Sequence, residues 1–323
     1  MKSKFSLLIV VLLTVSVLGA FASGQSEAAA PITRLAVATG GTAGVYFPLG
    51  GAFANIITEN VPNTTANAES TGASVVNSNL LNNGEVDFAL MQNDIAYYAF
   101  NGVEMFSDGA PLTNLRGVAS LYPEVIQIVV NANAGINSVN DLRGKRVAVG
   151  APGSGAEANA RQILTAHGIS YDDIRADFLS FAEAADALKD GNVDAAFVTA
   201  GTPTAAVTDV STTHNVRILS IAGDMADSLI ADFPFYDKVT IPAGTYRNQD
   251  SDVQTVAVLA MMFARAGLSD DVVYNVTKAW FENLDAFAAA HARGGNLTLE
   301  TATNGMPIDL HPGAARFYRE MGR

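Results

Sequence analysis

The chain has 323 residues, 49% of them hydrophobic, with 19 Lys and Arg against 32 Asp and Glu, and it contains no Cys. Without Cys there is no disulfide, no Cys-ligated metal cluster, no Cys nucleophile and no lipid-modified N-terminal Cys. The net charge of −13 argues against nucleic-acid binding, which requires clustered Lys and Arg.

The N-terminal segment is typical of an export signal. Two lysines precede an apolar run from Leu7 to Leu18, and Ala20-Phe21-Ala22 then matches the A-x-A pattern that signal peptidase cleaves. A membrane anchor is the alternative, but the run is short for a bilayer core of about 30 Å and is interrupted by polar residues. We therefore expect cleavage after Ala22, a mobile linker rich in Ser and Ala at residues 23–33, and a periplasmic mature protein.

Two strand–loop–helix units follow along the chain. Leu35–Thr39 is an apolar strand that ends at the glycine loop 40–44, after which apolar residues recur at helical spacing. Arg146–Val149 ends at a second glycine loop, residues 150–155, and a helical pattern follows again. The chain therefore contains the same unit twice.

Behind each unit lies a second repeated segment. A predicted helix ends at Gly84 or Gly191, glycines that can take the left-handed conformation, and a strand that begins Val-Asp comes next. A hydroxyl in front of each helix is expected to cap its first turn. Because Asp87 and Asp194 occupy equivalent places, we expect them to bind backbone amides at the strand starts rather than to form a catalytic carboxylate pair.

Two long apolar stretches predict crossovers between lobes. Residues 115–130 are typical of a strand, broken near Tyr122-Pro123, and the chain returns through 239–245 and 253–263. Two crossing strands make a hinge. From Asp270 onward, apolar residues at helical spacing predict core-packing helices rather than a site.

Strand–helix alternation predicts an α/β fold of two similar lobes with mostly parallel sheets, in which ligands bind at the carboxyl ends of the strands. The sequence contains no phosphate-binding loop, dinucleotide loop, nucleophile elbow or zinc-binding helix pattern. Its four histidines lie near predicted helix ends or in loops without metal-ligand spacing. We therefore expect no catalytic residue, no cofactor and no metal site.

Helix N-termini near the glycine loops are the remaining candidates for binding. Their unpaired N–H groups and the helix dipole favour a carboxylate. The candidates are residues 41–43, 71–73, 154–156 and 201–204, with Pro203 expected in a first helical turn. A small anion held by backbone amides needs few arginines, which fits an acidic chain.

Six segments carry a pattern found in a known family. They are Ala38–Gly50, Ser70–Asn77, Asp87–Asp94, Gly150–Glu157, Ile241–Tyr246 and His311–Tyr318. These segments resemble the TAXI branch of solute-binding proteins, which serve tripartite ATP-independent periplasmic (TRAP) transporters. The resemblance covers nearly all of the mature chain.

The resemblance implies a periplasmic binding protein of the two-lobed, type II-like α/β fold, which closes on its ligand at a hinge cleft and delivers it to TRAP membrane subunits driven by an ion gradient. It implies a small organic acid as ligand, with glutamate, glutamine and related dicarboxylates as examples. The implied ligand-binding residues are Gly41, Thr42, Tyr46, Ser70, Thr71, Gln92, Asn93, Ser154, Gly155, Ala156, Ala200, Gly201, Thr202 and Pro203. By the same resemblance, the other large branch of TRAP binding proteins is expected to bind the carboxylate of its ligand with an arginine. No position here matches that arginine, and Arg161 is interpreted as solvated.

These observations predict a monomer with an N-terminal signal and two lobes. The predicted bounds are 1–22 for the signal peptide, 23–33 for the linker, 34–122 and 249–323 for the first lobe, and 123–248 for the second. Two alternatives from other classes are an enzyme on the same fold and a ligand-sensing or surface-exposed protein. The sequence shows no set of catalytic residues, which weighs against an enzyme. It also shows no second module that could receive a signal, which weighs against a ligand sensor.

Overall fold

Ten strands and ten helices follow one another in residues 31–323, the part of the chain that the computed structural model describes. The strands are β1 (Thr33–Ala38), β2 (Thr64–Glu69), β3 (Phe88–Gln92), β4 (Leu115–Asn131), β5 (Arg146–Ala148), β6 (Arg175–Asp177), β7 (Ala195–Ala200), β8 (Val216–Leu219), β9 (Asp237–Ile241) and β10 (Val253–Arg265). The helices are α1 (Tyr46–Asn60), α2 (Ser74–Asn83), α3 (Asn93–Asn101), α4 (Gly155–Ala166), α5 (Phe181–Lys189), α6 (Ala205–Thr213), α7 (Asp224–Asp232), α8 (Asp270–Glu282), α9 (Leu284–Ala290) and α10 (Pro312–Glu320). The expected signal peptide and most of the expected linker lie outside the described residues.

All ten strands belong to one mixed sheet. Its order is β2-β1-β3-β10-β4-β7-β5-β6, with β8 also paired to β4 and β9 to β10. Strands β1, β2 and β3 are parallel to one another, and so are β5, β6 and β7. The two parallel sets divide the molecule into a first half, which carries β1–β3 and α1–α3, and a second half, which carries β5–β8 and α4–α7.

The long strands β4 and β10 join the two halves. They run antiparallel to each other, and β3 pairs with β10 while β7 pairs with β4. β4 continues through Tyr122 and Pro123, so the predicted break there is wrong. The strand is irregular rather than broken there, because its register with β10 shifts at Ala260/Met261, opposite Tyr122 and Ser120, and again at Met262/Phe263. Bulges of this kind bend a strand without ending it.

Asp87 and Asp194 have matching structural roles in the two halves. Asp87 Oδ2 accepts a hydrogen bond from Ala36 N in β1 at 3.0 Å, and Asp194 Oδ2 accepts one from Arg146 N in β5 at 2.9 Å. Asp87 also pairs with Arg265 at 2.8 Å, and Asp194 pairs with the Arg146 side chain at 2.7 Å. The prediction that both carboxylates bind backbone amides at strand starts is confirmed.

The sequence predicts a left-handed glycine after each of the two repeated helices and a hydroxyl cap before each. Both glycines and one of the two caps are found. Gly84 and Gly191 both have left-handed backbone, with φ of +75° and +69°. Ser180 Oγ accepts from Glu183 N at 3.4 Å, and the Glu183 carboxylate accepts from Ser180 N at 2.8 Å, which caps α5 reciprocally. The hydroxyl cap expected for α2 is wrong, because its N-cap residue is Ala73.

Aromatic side chains fill the core behind α1. The Phe53 ring lies 4.6 Å from that of Trp280 and 5.3 Å from that of Phe88, in edge-to-face geometry. Trp280 and Phe287 are fully buried, which confirms the prediction that the C-terminal helices pack into the core. Burying a side chain of this size contributes roughly 1.5–3 kcal/mol. Nowhere in residues 31–323 is a helix long and apolar enough to cross a bilayer.

Candidate functional site

A cleft lies where the loops after β1, β5 and β7 meet, and the space enclosed in it is about 50 Å³. The cleft is therefore narrow in this structure. Both halves and β4 contribute to its walls. The lining residues are Gly40, Gly41, Gly44, Val45, Tyr46, Ala73, Ser74, Gln92, Glu124, Ser154, Gly155, Ala156, Phe181, Thr199 and Ala200.

The loop between β1 and α1 is held from behind by side chains of the segment before α2. Ser70 Oγ donates to the Gly40 carbonyl at 3.0 Å, and Thr71 Oγ1 donates to the Thr39 carbonyl at 2.9 Å. Asn77 Nδ2 donates to the same Thr39 carbonyl at 2.6 Å. These bonds occupy the hydroxyls of Ser70 and Thr71 with backbone carbonyls of the glycine loop, and neither residue lines the cleft.

Glu124 is the one ionisable acid among the lining residues. It is 3% exposed, and Tyr46 Oη donates to its Oε2 at 2.8 Å. Burial raises the pKa of Glu124 to about 8, and the nearby charge of Asp94 raises it further, while hydrogen bonds from Tyr46 and Gln92 oppose the rise. Among the described residues, no Lys, Arg or His lines the cleft.

Two buried polar atoms at the cleft have no partner within residues 31–323. They are Gln92 Oε1 and Thr199 Oγ1, on side chains that are 2% and 4% exposed. Buried polar groups are nearly always hydrogen-bonded, and leaving one unpaired costs about 1–3 kcal/mol. Unpaired groups that line a cleft are therefore available to a ligand.

The N-terminus of α4 forms the opposite wall. Ser154 is its N-cap, and Ser154 Oγ accepts from Glu157 N at 3.1 Å. The first N–H groups of a helix have no intrahelical carbonyl, so those of Gly155 and Ala156 can bind an anion. A Cβ at Gly155 would overlap the Gln92 carboxamide, which shows how closely the two walls approach.

Backbone contacts join the two halves around the cleft. The Gly153 carbonyl accepts hydrogen bonds from Val75 N at 3.1 Å and Val76 N at 3.2 Å. On the other side, Ala206 N donates to the Ala43 carbonyl at 3.3 Å. These bonds cross from one half to the other and hold the cleft in a narrow form.

A buried polar cluster beside the cleft also spans the halves. Asn159 of α4 donates from Nδ2 to Asp94 Oδ2 of α3 at 3.0 Å and to Tyr236 Oη at 2.8 Å. Tyr236 in turn donates to Gln162 Oε1 at 2.6 Å. Burial raises the pKa of Asp94 to about 7. The cluster therefore joins the two halves through side chains of α3 and α4, in addition to the backbone hydrogen bonds described above.

The structure brings half of the implied ligand residues into the cleft. Those that line it are Gly41, Tyr46, Gln92, Ser154, Gly155, Ala156 and Ala200. Those outside its lining are Thr42, Ser70, Thr71, Asn93, Gly201, Thr202 and Pro203. Thr42 is exposed to solvent. Asn93 Oδ1 is occupied by Leu259 N at 3.0 Å.

The segment 201–203 is held by the C-terminal part of the chain. Arg293 Nε donates to the Thr202 carbonyl at 2.6 Å, and His291 Nε2 lies 3.1 Å from the Pro203 carbonyl. α6 begins at Ala205 with Thr204 as its N-cap, so the expectation that Pro203 occupies a first helical turn is wrong. The loop turns away before the helix starts, because its carbonyls bond to the C-terminal segment.

Sequence reasoning missed Glu124, Ser74, Phe181 and Thr199. Glu124 carries a signal that could have found it, because it is the single charged residue from 117 to 131 in an otherwise apolar strand. A lone buried acid in such a strand points to a functional group. The other three lie at helix starts or strand ends and carry no distinguishing pattern.

Arg161 does not line the cleft. Its side chain is 39% exposed and pairs with Glu157 at 3.5 Å one turn earlier on α4. The interpretation of Arg161 as a solvated residue is therefore confirmed.

The sequence model of the NMT1-like family matches residues 37–322. The chain belongs to the NMT1-like family. The match spans both halves of the sheet and every lining residue of the cleft.

Solved structures share the fold of this NMT1-like protein. PhnD1 from Prochlorococcus marinus MIT 9301, in complex with methylphosphonate, is 12% identical, with a TM-score of 0.56 over 90% of this chain and 97% of that one. A Bordetella bronchiseptica RB50 protein is 16% identical, with a TM-score of 0.53 over 89% and 82%. The alkanesulfonate-binding protein SsuA from Xanthomonas axonopodis pv. citri, bound to MOPS, is 18% identical, with a TM-score of 0.50 over 90% and 85%. The predicted two-lobed α/β fold of periplasmic binding proteins is confirmed.

Proposed function

We propose that this NMT1-like protein is a periplasmic solute-binding protein that captures a small carboxylate between its two halves and delivers it to the membrane subunits of a TRAP transporter. The observation that carries the proposal is the convergence, in one narrow cleft, of the free first-turn amides of α4 with unpaired buried polar groups from both halves. An enzyme would need reacting groups in such a cleft. Glu124 and Tyr46 are bonded to each other there, and no His or Lys stands among the lining residues to activate a hydroxyl.

A carboxylate fits the electrostatics of the cleft. The amide N–H groups of Gly155 and Ala156, together with the dipole of α4, favour a negative group. Glu124 does not repel such a ligand strongly, because its pKa of about 8 leaves it mostly protonated at neutral pH. Affinity then comes from amides and hydroxyls rather than from an arginine.

Closure of the two halves on the ligand follows from the placement of the site. We assign residues 34–122 and 249–323 to one lobe and 123–248 to the other, with β4 and β10 as the connecting strands. A ligand that touches both lobes favours the closed arrangement by the contacts it makes only there. The bonds from Gly153 and Ala206 across the cleft belong to that arrangement. The TRAP membrane subunits would then recognise the rims of both lobes, and the exported chain would work as a monomer.

Ligand binding is tested by a thermal-shift screen of the mature protein against small mono- and dicarboxylates and amino acids. A ligand at 100 times its Kd stabilises the folded state by about 2.7 kcal/mol, which corresponds to a rise in Tm of about 3–5 °C for a chain of this size. If no small acid raises the Tm, the carboxylate proposal is wrong.

The transporter partner is tested separately with the acid that the screen identifies. Proteoliposomes with TRAP membrane subunits should take up that acid when the binding protein and an ion gradient are present, without ATP. Uptake that occurs only with the ATPase components of an ABC importer would assign this chain to the other class of transporter.

A further inference from the structure

Asp94 is a buried carboxyl group between α3 and α4 that has no cationic partner in residues 31–323. Its side chain is 0% exposed, and it accepts hydrogen bonds from neutral groups, Ile95 N at 2.9 Å and Asn159 Nδ2 at 3.0 Å. Asp87 and Asp194 also accept a backbone N–H, but each of them is paired with an arginine. Because a lone buried charge is costly, the surroundings of Asp94 favour its neutral form.

The titratable groups around Asp94 do not supply the missing positive charge. They are Tyr98 from α3, Arg161 from α4, Tyr236 from the segment after α7, and Glu124 from β4, with Glu104 beyond Tyr98. Arg161 is the one cation among them, and it acts on the two tyrosines from a side chain that is 39% exposed. Burial therefore prevails and raises the pKa of Asp94 to about 7.

The groups that cover Asp94 belong to the second half or to the segment after α7. Asn159 lies on α4, and its neighbour Ala158 belongs to the same buried apolar cluster as Ile95 of α3. The ring of Phe235, which follows α7, lies 5.7 Å from that of Tyr98 in edge-to-face geometry. Separation of α4 from α3 would remove these groups and let water reach the carboxyl group. A solvated aspartate has a pKa of about 3.9.

We propose that Asp94 and Asn159 form a latch between the two halves, which closes with uptake of a proton at Asp94. The inference rests on the proposed function, because the latch acts on the closure by which the cleft captures its solute. Asp94 and Asn159 do not line the cleft. They are positioning residues, which affect the solute through the approach of α4 to α3.

The sign of the pH dependence follows from the form that each arrangement prefers. In the open arrangement Asp94 is ionised throughout the range from about pH 6 to about pH 8. In the closed arrangement it is protonated below about pH 7 and ionised above it. Protonation therefore favours closure at low pH, and this contribution is lost as the pH rises through 7. Between pH 6 and pH 8 the affinity for the solute should fall about 10-fold, and capture at pH 7 should take up about half a proton at Asp94.

The test measures the Kd of the acid identified by the thermal-shift screen, by isothermal titration calorimetry of the mature protein at pH 6 and at pH 8. We expect the Kd to rise at least about 10-fold from pH 6 to pH 8. Asp94→Asn keeps the size of the side chain and removes the titrating proton, so the ratio of the two Kd values should be about 10-fold smaller than in the unmodified protein. Any remaining pH dependence then comes from Glu124, which the variant retains. An unchanged ratio in Asp94→Asn would overturn the inference and leave the proposed function standing.

Asp108→Asn is the matched control, because it makes the same charge change at an exposed position after α3. We expect its ratio of Kd values to equal that of the unmodified protein. If the ratio falls as far in Asp108→Asn as in Asp94→Asn, the effect belongs to the overall charge of the protein and the latch is refuted.

Asn159→Asp tests the same contact from the other helix. It places a second carboxyl group at the position that now lies 3.0 Å from Asp94 Oδ2. Two carboxylates this close hold a proton between them, so closure should depend more steeply on pH and the ratio of Kd values should rise severalfold. If Asp94→Asn does not fold, this variant decides, and a ratio that stays the same or becomes smaller contradicts the latch.

Proton uptake by the unmodified protein decides the question if neither variant folds. Calorimetry at pH 7 in two buffers of different ionisation enthalpy should show uptake of about half a proton or more on binding. Binding without proton uptake would refute the latch while the proposed function stands. If no acid of the thermal-shift panel binds at pH 6 or at pH 8, the proposed function itself fails, and the latch fails with it.

Discussion

In the first half of the molecule Asp87 ties β1 to β3, and in the second half Asp194 ties β5 to β7. Both carboxylates accept a backbone N–H of the neighbouring strand, at 3.0 and 2.9 Å. The paired cation differs, because Arg265 reaches Asp87 from β10, whereas Arg146 lies on β5 itself. The first half is therefore fastened to the returning strand, which is a tertiary connection that the second half lacks at this point.

The walls of the cleft differ more than these scaffolds do. The first half and β4 provide acceptors, with Glu124 bonded to Tyr46 and Gln92 Oε1 unpaired. The second half provides donors at the capped start of α4. The internal repeat thus builds two similar scaffolds, and the residues that differ between the copies give the cleft two chemically unlike sides.

Gly155→Ala should remove the close approach of the two walls and has the largest expected effect. The added methyl would overlap the buried Gln92 carboxamide and force it to move. We expect ligand affinity to fall at least 10-fold, about 1.4 kcal/mol, in calorimetry with the acid identified by the thermal-shift screen. Gly51→Ala is the control, because a Cβ at Gly51 meets open space. Unchanged affinity in Gly155→Ala would show that the contact between the walls is not needed.

Substitution of the two aspartates tests how far the scaffolds are equivalent. Asp87→Ala leaves a strand amide and Arg265 without their partner, and we expect it to lower the free energy of unfolding by about 1–3 kcal/mol. Asp194→Ala should cost less, because the Asp194 side chain is 26% exposed against 15% for Asp87. Urea denaturation of both variants measures the difference. A larger loss of unfolding free energy in Asp194→Ala than in Asp87→Ala would contradict this expectation.

The contribution of Asp194 should also depend on pH. Hydrogen bonds from Arg146 hold the pKa of Asp194 below its usual range. A lowered folded-state pKa stabilises the protein above the unfolded value of about 3.9 and stops doing so as pH falls through the folded value. The stability difference between the unmodified protein and Asp194→Ala should therefore shrink below about pH 4. A difference that stays constant from pH 7 to about pH 3 would contradict this account.

Ser154→Ala and Thr42→Ala form the pair with the smallest expected effect. Ser154 caps α4, and loss of such a cap costs about 1 kcal/mol of helix stability. Because the first-turn amides of α4 line the cleft, we expect a severalfold loss of ligand affinity. Thr42 is exposed and outside the lining, so Thr42→Ala should bind normally. Equal losses of ligand affinity in both variants would show that Thr42 also belongs to the binding site.

Local signals predicted much of the scaffold. Left-handed glycines after the helices, the reciprocal cap at Ser180 and the amide bonds of Asp87 and Asp194 depend on neighbouring residues or on a repeated pattern. The errors lie where a distant segment intervenes. Pro203 stays outside α6 because the C-terminal segment binds its loop. β4 continues through Pro123, with a register shift against β10 beside it between Ser120 and Tyr122.

The sequence predicted which loops line the candidate site, but not which side-chain groups face it. Glycine loops and helix starts are visible in the sequence, and they led to Gly41, Ser154 and Gly155. The same reasoning gave Thr71, and the resemblance added Ser70, although the hydroxyls of both bond to backbone carbonyls of the glycine loop. Whether a hydroxyl faces a ligand or a carbonyl depends on the orientation of its loop in the fold.

The sequence by itself determined the α/β class, the doubled unit and the loops that approach one another, because periodicity, glycine and capping residues act over a few residues. Only the tertiary structure decided which groups face the cleft. Glu124 becomes a site residue because β4 carries it between Tyr46 and Gln92, which are distant in the chain and belong to other elements. Burial there gives its carboxyl a chemistry that no local pattern encodes.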